Sequence, residues 1–494
     1  MFRASATGAQ KLEGMYARPA SAADSGPAGS FDRVGPDGRD STAGSAGLDG
    51  SSGAAGPSGL DGSRGFAGAD GQVRTAWRDR IGVRGVGVRV HGARALLARP
   101  LTPYYLIVGI TTLLLCLGLV MVLSTASVAD LAAGESPYHD FELQLGGVLF
   151  GVPVMWVAAR SSPRLFRAAA YPLLVVSIIG LGLTLIPGVG KSINGATRWI
   201  DLGGPLTFQP SELAKLALAV WGADLLARKE KLGMLTDWRH MLVPLLPGTG
   251  VLALLVMAGD DLGTTSILLM VFLALLWIVG TPGRVFTGML ILMGLVLVLL
   301  VVAKGYRAER LVEFWNPSST DPMGTNQQPI QGKYALGSGG WFGVGLGASR
   351  EKWGYLPEST TDFIFAIIGE ELGLVGTLCV TALFGGLAYA GLRVARQAAD
   401  TFSRLLAAAI TAWIVVQAVV NIGAVIGVFP ITGVPLPLVS KGLSSVLVTM
   451  VGLGMLMSFA RRVPGASQAL AARGPFPARR VLSWLRQGHG AARR

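Results

Sequence analysis

The chain has 494 residues, of which 51% are hydrophobic and only 14% are charged, and its formal net charge is +13. A soluble domain would carry about 25% charged residues, so this composition excludes an ordinary soluble protein. Excess arginine on a membrane protein marks its cytoplasmic face, so the positive charge does not indicate nucleic-acid binding. Two cysteines within apolar runs and four scattered histidines predict neither a disulfide framework nor a metal cluster.

The first 100 residues are predicted to form a disordered cytoplasmic tail with a basic segment beside the membrane. Residues 1–73 are rich in Gly, Ala, Ser and Asp, and such a composition cannot bury enough apolar surface to offset chain entropy. Residues 74–99 contain seven arginines and one acidic residue, which suits the anionic inner leaflet. Residues 463–494 are predicted to be a second basic cytoplasmic tail.

Residues 101–462 are predicted to be the membrane domain of an all-α polytopic protein. Apolar runs of about 20 residues recur there, and each is long enough to cross a hydrocarbon core about 30 Å thick. Pro244 and Pro247 interrupt the fifth run, which is therefore the least regular. The sequence predicts about ten spanning helices, at residues 103–126, 143–159, 168–187, 210–227, 241–258, 262–280, 285–303, 364–391, 405–427 and 436–459.

The charges of the short loops predict the orientation of the chain. Loops 160–167, 228–240, 281–284 and 392–404 contain eleven Lys and Arg residues, whereas the alternate short loops contain two. Because positive charge concentrates in cytoplasmic loops, both termini are predicted to be cytoplasmic. The long connection 304–362 then lies outside, and its aromatic residues and balanced charges predict a structured extracytoplasmic loop on the bilayer surface.

Ionisable residues in or near the predicted spans concentrate at the outer ends of the helices. Such residues are costly in a membrane and indicate function by default, the alternative being interfacial anchors or internal ion pairs. Glu212 and Lys215 are three residues apart and share one face of the fourth helix. The rest of this outer set is Arg198, Trp199, Asp260, Asp261, Glu358, Asp362 and Lys441, with Glu370 and Glu371 deeper.

An outer-leaflet site constrains the chemistry that it can perform. ATP is absent outside the cell, so a reaction there needs an already activated substrate, and a membrane-embedded site favours a lipid-linked one. Cations would hold a diphosphate head group, and a carboxylate near the acceptor hydroxyl would act as a general base. The candidate cations are Arg198, Lys215, Arg350, Lys352 and Lys441.

Four segments, in their order along the chain, resemble the SEDS family of membrane proteins (FtsW, RodA and SpoVE). The resemblance covers roughly residues 103–462. The segments are NGATRWI at 194–200 leading into QPSELAK at 209–215, DLGT at 261–264, GSGGWFG at 337–343 leading into LPESTTDFIF at 356–365 and GEELG at 369–373, and PLPLVS at 435–440.

The resemblance implies a peptidoglycan glycosyltransferase that polymerises lipid II at the outer face of the bacterial cytoplasmic membrane. A sugar hydroxyl of one lipid II would attack the anomeric carbon of another, with Asp362 accepting the proton and a polyprenyl diphosphate leaving. Cations, or a bound Mg²⁺ or Mn²⁺, would stabilise the departing diphosphate. The predicted substrate-binding residues are Arg198, Trp199, Gln209, Glu212, Lys215, Asp261, Lys352, Glu358, Glu371 and Lys441, and Glu212 and Lys215 are expected to line a central cavity.

The resemblance also implies partners and a place in the cell. The expected partner is a class B penicillin-binding protein, a transpeptidase that crosslinks the new glycan. The segments VMVLSTAS at 120–127 and GEELG at 369–373 favour a division-type, FtsW-like member over an elongation-type, RodA-like one. The expected location is the division septum, where the tails would dock to cytoplasmic division proteins.

One segment departs from the family pattern. The family has Ser-Tyr-Gly-Gly-Ser-Ser before the last helix, where this chain has SKGLSS at 440–445. If that loop packs closely on backbone, Leu443 is expected to be strained where Gly would be free. Lys441 would either contact a phosphate or extend to the membrane interface.

The departure keeps other functions open. A non-catalytic scaffold for the transpeptidase, or a specialised paralogue, would tolerate an altered loop. A lipid II flippase would place polar residues near the bilayer midplane on broken helices, and Glu370 and Glu371 are the residues that fit this alternative.

Overall fold

The computed structural model describes residues 100–193, 196–203, 206–305, 307, 308, 311, 314, 327–466 and 468. The predicted N-terminal tail, apart from residue 100, lies outside the described residues, as does most of the predicted C-terminal tail 463–494. The same holds for most of residues 306–326, in the first part of the predicted extracytoplasmic loop.

The described chain is a helical bundle with one small sheet, and the all-α polytopic prediction is confirmed. Nine of its helical segments are long and apolar enough to cross a membrane, and Trp238–Ala258 counts as one of them although it is broken. The helices are α1 Thr102–Ala132, α2 His139–Arg160, α3 Pro163–Thr184, α4 Pro210–Lys231, α5 Trp238–Leu242, α6 Leu245–Ala258, α7 Leu262–Val279, α8 Gly283–Val302, α9 Gln327–Ser338, α10 Ile364–Gln397, α11 Thr401–Val425 and α12 Leu443–Ala460.

Several helices begin at residues that favour a helix start. Pro163 occupies the first turn of α3, where its missing N–H group costs nothing, and the preceding Ser162 caps the helix. Asp261 caps α7 by accepting a hydrogen bond from the Thr264 N–H, and Asp400 caps α11 in the same way. These caps fix where the chain enters the bundle at each end.

The helix α4 corresponds to the fourth predicted span, and it is the one of the ten that is not among the nine apolar segments. It has 22 residues, but Glu212, Lys215 and Asp224 lie within it and all three are buried. It packs against α3, α7 and α11, so protein rather than lipid surrounds most of its surface. Low hydropathy in α4 therefore reflects a position inside the bundle, because buried charges tolerate the interior when they are paired.

Two other predicted spans have different boundaries from those expected. The fifth is divided at Pro244, as its prolines indicated, because α5 ends at Leu242 and α6 begins at Leu245. The predicted start of the last span at residue 436 is wrong, since α12 begins at Leu443. Residues 430–442 are irregular, and Leu438 has a positive φ of 66°.

A three-stranded antiparallel sheet occupies the connection between α3 and α4, where the sequence indicated only a loop. Its strands are β1 Gly190–Ile193, β2 Ala196–Asp201 and β3 Thr207–Phe208, in the order β1-β2-β3. Trp199 pairs with Lys191 across β1 and β2, and Ile200 pairs with Phe208 across β2 and β3. The sheet holds Arg198 and Trp199 beside the start of α4.

The helix α10 is interrupted at Gly373, which has φ 68° and ψ −165°. The glycine-rich turn at residues 339–345 fills the break with main-chain hydrogen bonds. The Val344 N–H donates to the Glu370 carbonyl at 2.9 Å, and the Leu374 N–H donates to the Gly340 carbonyl at 2.9 Å. A Cβ atom at Gly339 would lie 1.9 Å from the Gly369 carbonyl oxygen, so the approach requires glycine.

This turn shows that the described part of the long connection is structured, as predicted. Its aromatic side chains point away from the bundle, because Trp341, Phe342, Trp353 and Tyr355 are all exposed. The turn 339–345 therefore contacts α10 through its backbone, and the aromatic rings of the connection are exposed.

Candidate active site

A cavity of about 760 Å³ opens at the end of the bundle that the sequence predicts to be extracytoplasmic. Its walls are the sheet, the start of α7, the turn before α10, and the segment that runs from residue 430 into α12. Six of the eleven predicted site residues line it, namely Arg198, Trp199, Gln209, Glu358, Asp362 and Lys441. The other five, Glu212, Lys215, Asp261, Lys352 and Glu371, lie behind or away from its walls.

Asp362 is half-buried, one residue before the cap of α10. The turn that carries it is closed by the Phe363 N–H, which donates to the Glu358 carbonyl at 3.1 Å. The Asn421 side chain donates to the Asp362 carbonyl at 2.7 Å and to the Val434 carbonyl at 2.8 Å. The main chain of Asp362 is therefore fixed while its carboxylate faces the cavity.

The segment 430–442 is bonded to the same turn. The Ser440 hydroxyl donates to the Thr361 carbonyl at 2.6 Å, and the Lys441 N–H donates to the Thr360 carbonyl at 3.0 Å. A Cβ atom at Gly433 would lie 3.4 Å from a carboxylate oxygen of Asp362, in ordinary contact. These bonds tie two distant parts of the chain into one wall beside the candidate catalytic carboxylate.

Glu212 and Lys215 form a buried ion pair, with 2.8 Å between the Lys215 Nζ atom and the carboxylate and both side chains 1% exposed. Lys215 also donates to the Gln417 amide oxygen at 2.8 Å, and Gln417 donates to the Pro435 carbonyl at 2.9 Å. The expected lining of a central cavity by Glu212 and Lys215 is thus replaced by a chain of contacts that reaches the segment 430–442 from behind.

Gln417 and Asn421 were not identified from the sequence, although both support this segment. They are uncharged residues in the apolar helix α11, four residues apart on one face. The usable signal was their amide groups, because an amide inside a membrane helix needs a polar partner and usually bonds a neighbouring element.

Asp261 lies behind Arg198 rather than on the cavity wall. One carboxylate oxygen accepts a hydrogen bond from the Thr264 N–H at 2.9 Å and lies 3.9 Å from the Arg198 guanidinium. Arg198 donates to the Asp260 carbonyl at 2.7 Å. The Gln209 amide approaches the other Asp261 oxygen at 3.4 Å. Asp261 thus caps a helix and orients two residues that do line the cavity.

Arg307 is a further cavity-lining cation that the sequence did not single out. Its guanidinium donates to the Asp260 carboxylate at 2.6 Å, and its side chain is 7% exposed. Lys304 binds the same carboxylate. Both belong to the predicted long loop, and their role was hidden because the sequence gives no pairing between that loop and Asp260.

Lys352 and Glu371 form a second buried ion pair at 3.0 Å, away from the cavity lining. The Ser124 hydroxyl donates to Glu371 at 2.7 Å, and Lys352 donates to the Gly347 carbonyl at 2.8 Å. The neighbouring Glu370 accepts from the Ser349 hydroxyl and from the Arg350 N–H. These contacts bind the loop to α1 and α10.

The segment that departs from the family pattern is accommodated without strain at Leu443. Leu443 begins α12 and is not among the described residues with a positive φ. Its side chain fills the space beside Gly147 of α2, where a Cβ atom would lie 2.1 Å from Leu443 Cδ1. Lys441 forms an ion pair with Asp140. The expected strain at Leu443 is therefore wrong, because its side chain points at a glycine in the neighbouring helix.

The described residues contain no group of three or more His, Cys, Asp or Glu side chains that could hold a metal ion. Asp260, Glu358 and Asp362 line one cavity without forming such a group. The Mg²⁺ or Mn²⁺ expected from the sequence stays a prediction, and the cations Arg198, Arg307 and Lys441 are the groups available here for binding an anion.

A bundle of membrane-length helices with a carboxylate-containing cavity at one end defines a polytopic membrane protein. The family described as cell cycle protein, FtsW/RodA/SpoVE, matches residues 104–464, and the chain belongs to this family. The resemblance read from the sequence is thereby confirmed.

Relatives of known name match most of the chain. A Mycobacterium tuberculosis protein, "Probable peptidoglycan glycosyltransferase FtsW", is 43% identical over 380 residues, which cover 76% of this chain and 71% of that one. Stage V sporulation protein E of Bacillus subtilis is 38% identical over 364 residues, covering 73% and 97%.

Solved structures share the fold. A chain from "Structural coordination of polymerization and crosslinking by a peptidoglycan synthase complex" has a TM-score of 0.59 and 29% identity, and the match covers 72% of this chain and 97% of that one. The rod shape determining protein RodA of Thermus thermophilus has a TM-score of 0.53 and 28% identity, covering 72% and 96%.

Proposed function

We propose that this protein is a peptidoglycan glycosyltransferase that polymerises lipid II at the outer face of the bacterial cytoplasmic membrane. The observation that carries the proposal is that Asp362 lines a cavity of about 760 Å³ together with the cations Arg198, Arg307 and Lys441. The names of the relatives supply the reaction, and the cavity supplies the residues that would perform it.

In the proposed reaction, Asp362 accepts the proton of a sugar hydroxyl on one lipid II. The resulting oxygen nucleophile attacks the anomeric carbon of a second lipid II, the new glycosidic bond forms, and the bond to the diphosphate breaks. The polyprenyl diphosphate leaves with the bonding electron pair. Arg198, Arg307 and Lys441 line the same cavity and would stabilise the negative charge on that leaving group.

The arrangement around Asp362 favours the proposed glycosyl transfer. Asp362 is positioned by a hydrogen bond to its main-chain carbonyl, and the residue lines the cavity that the acceptor would enter. A diphosphate is a good leaving group, so a second carboxylate acting as general acid is unnecessary, unlike in most glycosidases. Glu358 is the other carboxylate of the same turn, and the Thr361 hydroxyl donates to it at 2.6 Å.

We further propose a division role with a class B penicillin-binding protein as partner. Support comes from the FtsW names among the relatives and from the structural similarity to a chain of a peptidoglycan synthase complex. The excess of Lys and Arg in alternate loops supports cytoplasmic termini, and the tails would contact cytoplasmic division proteins at the septum.

The proposal is tested by lipid II polymerisation in detergent, with the full chain co-purified with candidate transpeptidases. Wild type is expected to make glycan chains, and Asp362→Ala is expected to make none while still binding its partner. Asp201→Asn is the matched control, since Asp201 is an exposed acidic residue on the sheet outside the cavity. Detergent removes the second leaflet, so a flippase would produce no chains in this assay.

The scaffold alternative predicts a different pattern. A scaffold would support transpeptidase activity and cell growth equally well with Asp362→Ala and with wild type. Loss of glycan chains with Asp362→Ala, together with normal partner binding, would eliminate the scaffold.

A further inference from the structure

One face of α2 receives the segment that departs from the family pattern. Asp140, Gln144 and Gly147 are spaced four and three residues apart, so they lie on one side of the helix. Lys441 pairs with Asp140, the Gly442 N–H donates to the Gln144 amide oxygen at 3.2 Å, and Leu443 fills the space beside Gly147. Three successive residues of this segment thus match three successive positions of that face.

Residues 441–443 and this face of α2, here called the α2 corner, are therefore complementary in charge, hydrogen bonding and shape. The Gln144 side chain is buried and also donates to the Ser440 carbonyl at 3.4 Å. The Asp140 N–H donates to the buried Asp130 carboxylate at 3.2 Å, which joins the end of α1 to the start of α2. The α2 corner therefore fixes the backbone that carries Lys441 at the cavity.

The three cations that line the described cavity differ in how firmly they are held. Arg307 is buried against Asp260, and Arg198 bonds the Asp260 carbonyl in front of Asp261. Lys441 has the most accessible side chain of the three, at 38% compared with 25% for Arg198 and 7% for Arg307. Lys441 is therefore the cation of the three that an incoming ligand can reach most easily.

The backbone of Lys441 is fixed beside the turn that carries Asp362. Its N–H donates to the Thr360 carbonyl, two residues before Asp362, whereas the ammonium is carried on a flexible four-carbon side chain and pairs with Asp140. An ammonium on such a side chain acts as a mobile point charge that can move from one anion to another.

We propose that Lys441 binds the diphosphate of the polyprenyl-linked donor by exchanging Asp140 for phosphate oxygens when the donor enters the cavity. Asp140 then acts as a competing anion that holds the ammonium in place before binding. The inference rests on the proposed function for the identity of the donor, but the exchange itself concerns only an ammonium and a diphosphate.

The two members of the pair give opposite predictions. In the full chain in nanodiscs, Lys441→Met is expected to raise the Kd for undecaprenyl diphosphate at least about tenfold, since a charge-assisted contact is lost. Asp140→Asn is expected to lower that Kd about two- to fivefold, because Lys441 no longer has a competing carboxylate. Lys441→Arg, which keeps the charge, is expected to stay within about threefold of wild type.

Three further measurements define what is recognised. Undecaprenyl monophosphate is expected to show a smaller loss with Lys441→Met than the diphosphate, and inorganic pyrophosphate distinguishes head-group binding from binding of the lipid tail. Lys191→Met and Asp201→Asn are the matched controls, because these residues form an exposed ion pair on the sheet outside the cavity. In polymerisation assays, Lys441→Met is expected to raise KM for lipid II more than it lowers kcat.

An unchanged Kd in Lys441→Met overturns the inference. A Kd that Asp140→Asn raises also overturns it, because a merely structural pair weakens binding whichever member is removed. Equal losses for the monophosphate and the diphosphate do the same. Glycan synthesis by the same preparations separates the two claims, since wild type that binds the diphosphate through Lys441 but makes no chains would refute the proposed function alone.

Discussion

The cavity of Asp362 and the closed ion pairs Glu212–Lys215 and Lys352–Glu371 use the same residue types in opposite ways. In each closed pair the ammonium lies within 3.0 Å of its carboxylate and neither side chain is more than 4% exposed. Asp362 instead is half-buried and faces an open volume. A closed pair can position its neighbours but cannot meet a substrate. A charged residue of the bundle therefore either forms a buried pair or lines a cavity, and the exposure of its side chain distinguishes the two cases.

Neutralising Asp362 tests most directly whether this carboxylate differs in function from those of the closed pairs. Asp362→Asn keeps the size and shape of the side chain but removes the proton acceptor. We expect the rate of glycan synthesis to fall by about 10²–10⁴ with little change in Tm, because general-base catalysis is lost while the fold is kept. Polymerisation kinetics and thermal unfolding of the same sample check this. A large fall in Tm would place Asp362 with the closed pairs.

Lys215→Met should do the reverse, with its main effect on stability. Removing one member of a buried pair leaves Glu212 charged and unpartnered, which costs about 3–5 kcal/mol. The double variant Glu212→Leu with Lys215→Met is expected to regain most of that loss. Thermal unfolding measures both variants, and Lys191→Met, in an exposed pair, is the control. Equal losses in the single and double variants would contradict the closed-pair interpretation.

Asn421→Leu tests the connection between the two regions. It removes two hydrogen bonds that fix the main chain of Asp362 and Val434, which costs about 1–3 kcal/mol. We expect kcat to fall about tenfold with KM for lipid II nearly constant, because the carboxylate is displaced while the cavity remains. Val419→Ala, an exposed position on the same helix, is the control. A change confined to KM would argue against a positioning role.

The smallest expected effect concerns Glu351, in the loop behind the second closed pair. Burial, and to a lesser extent the nearby Glu370, raises the pKa of Glu351 above its usual range. The folded state therefore binds this proton more tightly than the unfolded chain does. Stability is gained as the pH falls through the raised pKa and is lost as the pH rises through it.

Glu351→Gln is expected to remove that dependence and to raise Tm slightly at neutral pH. Thermal unfolding between pH 4 and pH 8 compares the variant with wild type, and Asp201→Asn controls for a change in net charge. A Tm profile for Glu351→Gln that still falls with rising pH as wild type does would refute the assignment.

Much of the fold follows from the sequence because apolar runs have the length that a bilayer requires. Burial inside the bundle does not follow, and α4 is the clearest example, since its charges made it the least apolar of the predicted spans. The true start of α12 was also missed, because proline is tolerated in the first turn of a helix and Pro437 therefore did not exclude a start at residue 436.

The same distinction applies to the site, where motif residues could be predicted and long-range contacts could not. The position of Asp362 at the entry to a helix could be predicted from the family motif, and the structure brings Arg198, Trp199 and Lys441 to the same cavity. The separation of Glu212 and Lys215 from that cavity could not be predicted. It depends on Gln417, which lies 202 positions from Lys215 along the chain and gives no charge signal.

The interruption of α10 at Gly373 has a mechanical consequence. Residues 339–345 supply main-chain hydrogen-bond partners at that interruption, so this turn is an integral part of the helix packing rather than a surface loop. Proteolytic cleavage at the exposed Trp353–Tyr355 stretch is therefore expected to leave the turn bound to α10. Tags and crosslinkers placed at Trp353–Tyr355 should leave the bundle intact. A tag inserted between Gly339 and Gly343 should separate the turn from α10 and disrupt the bundle.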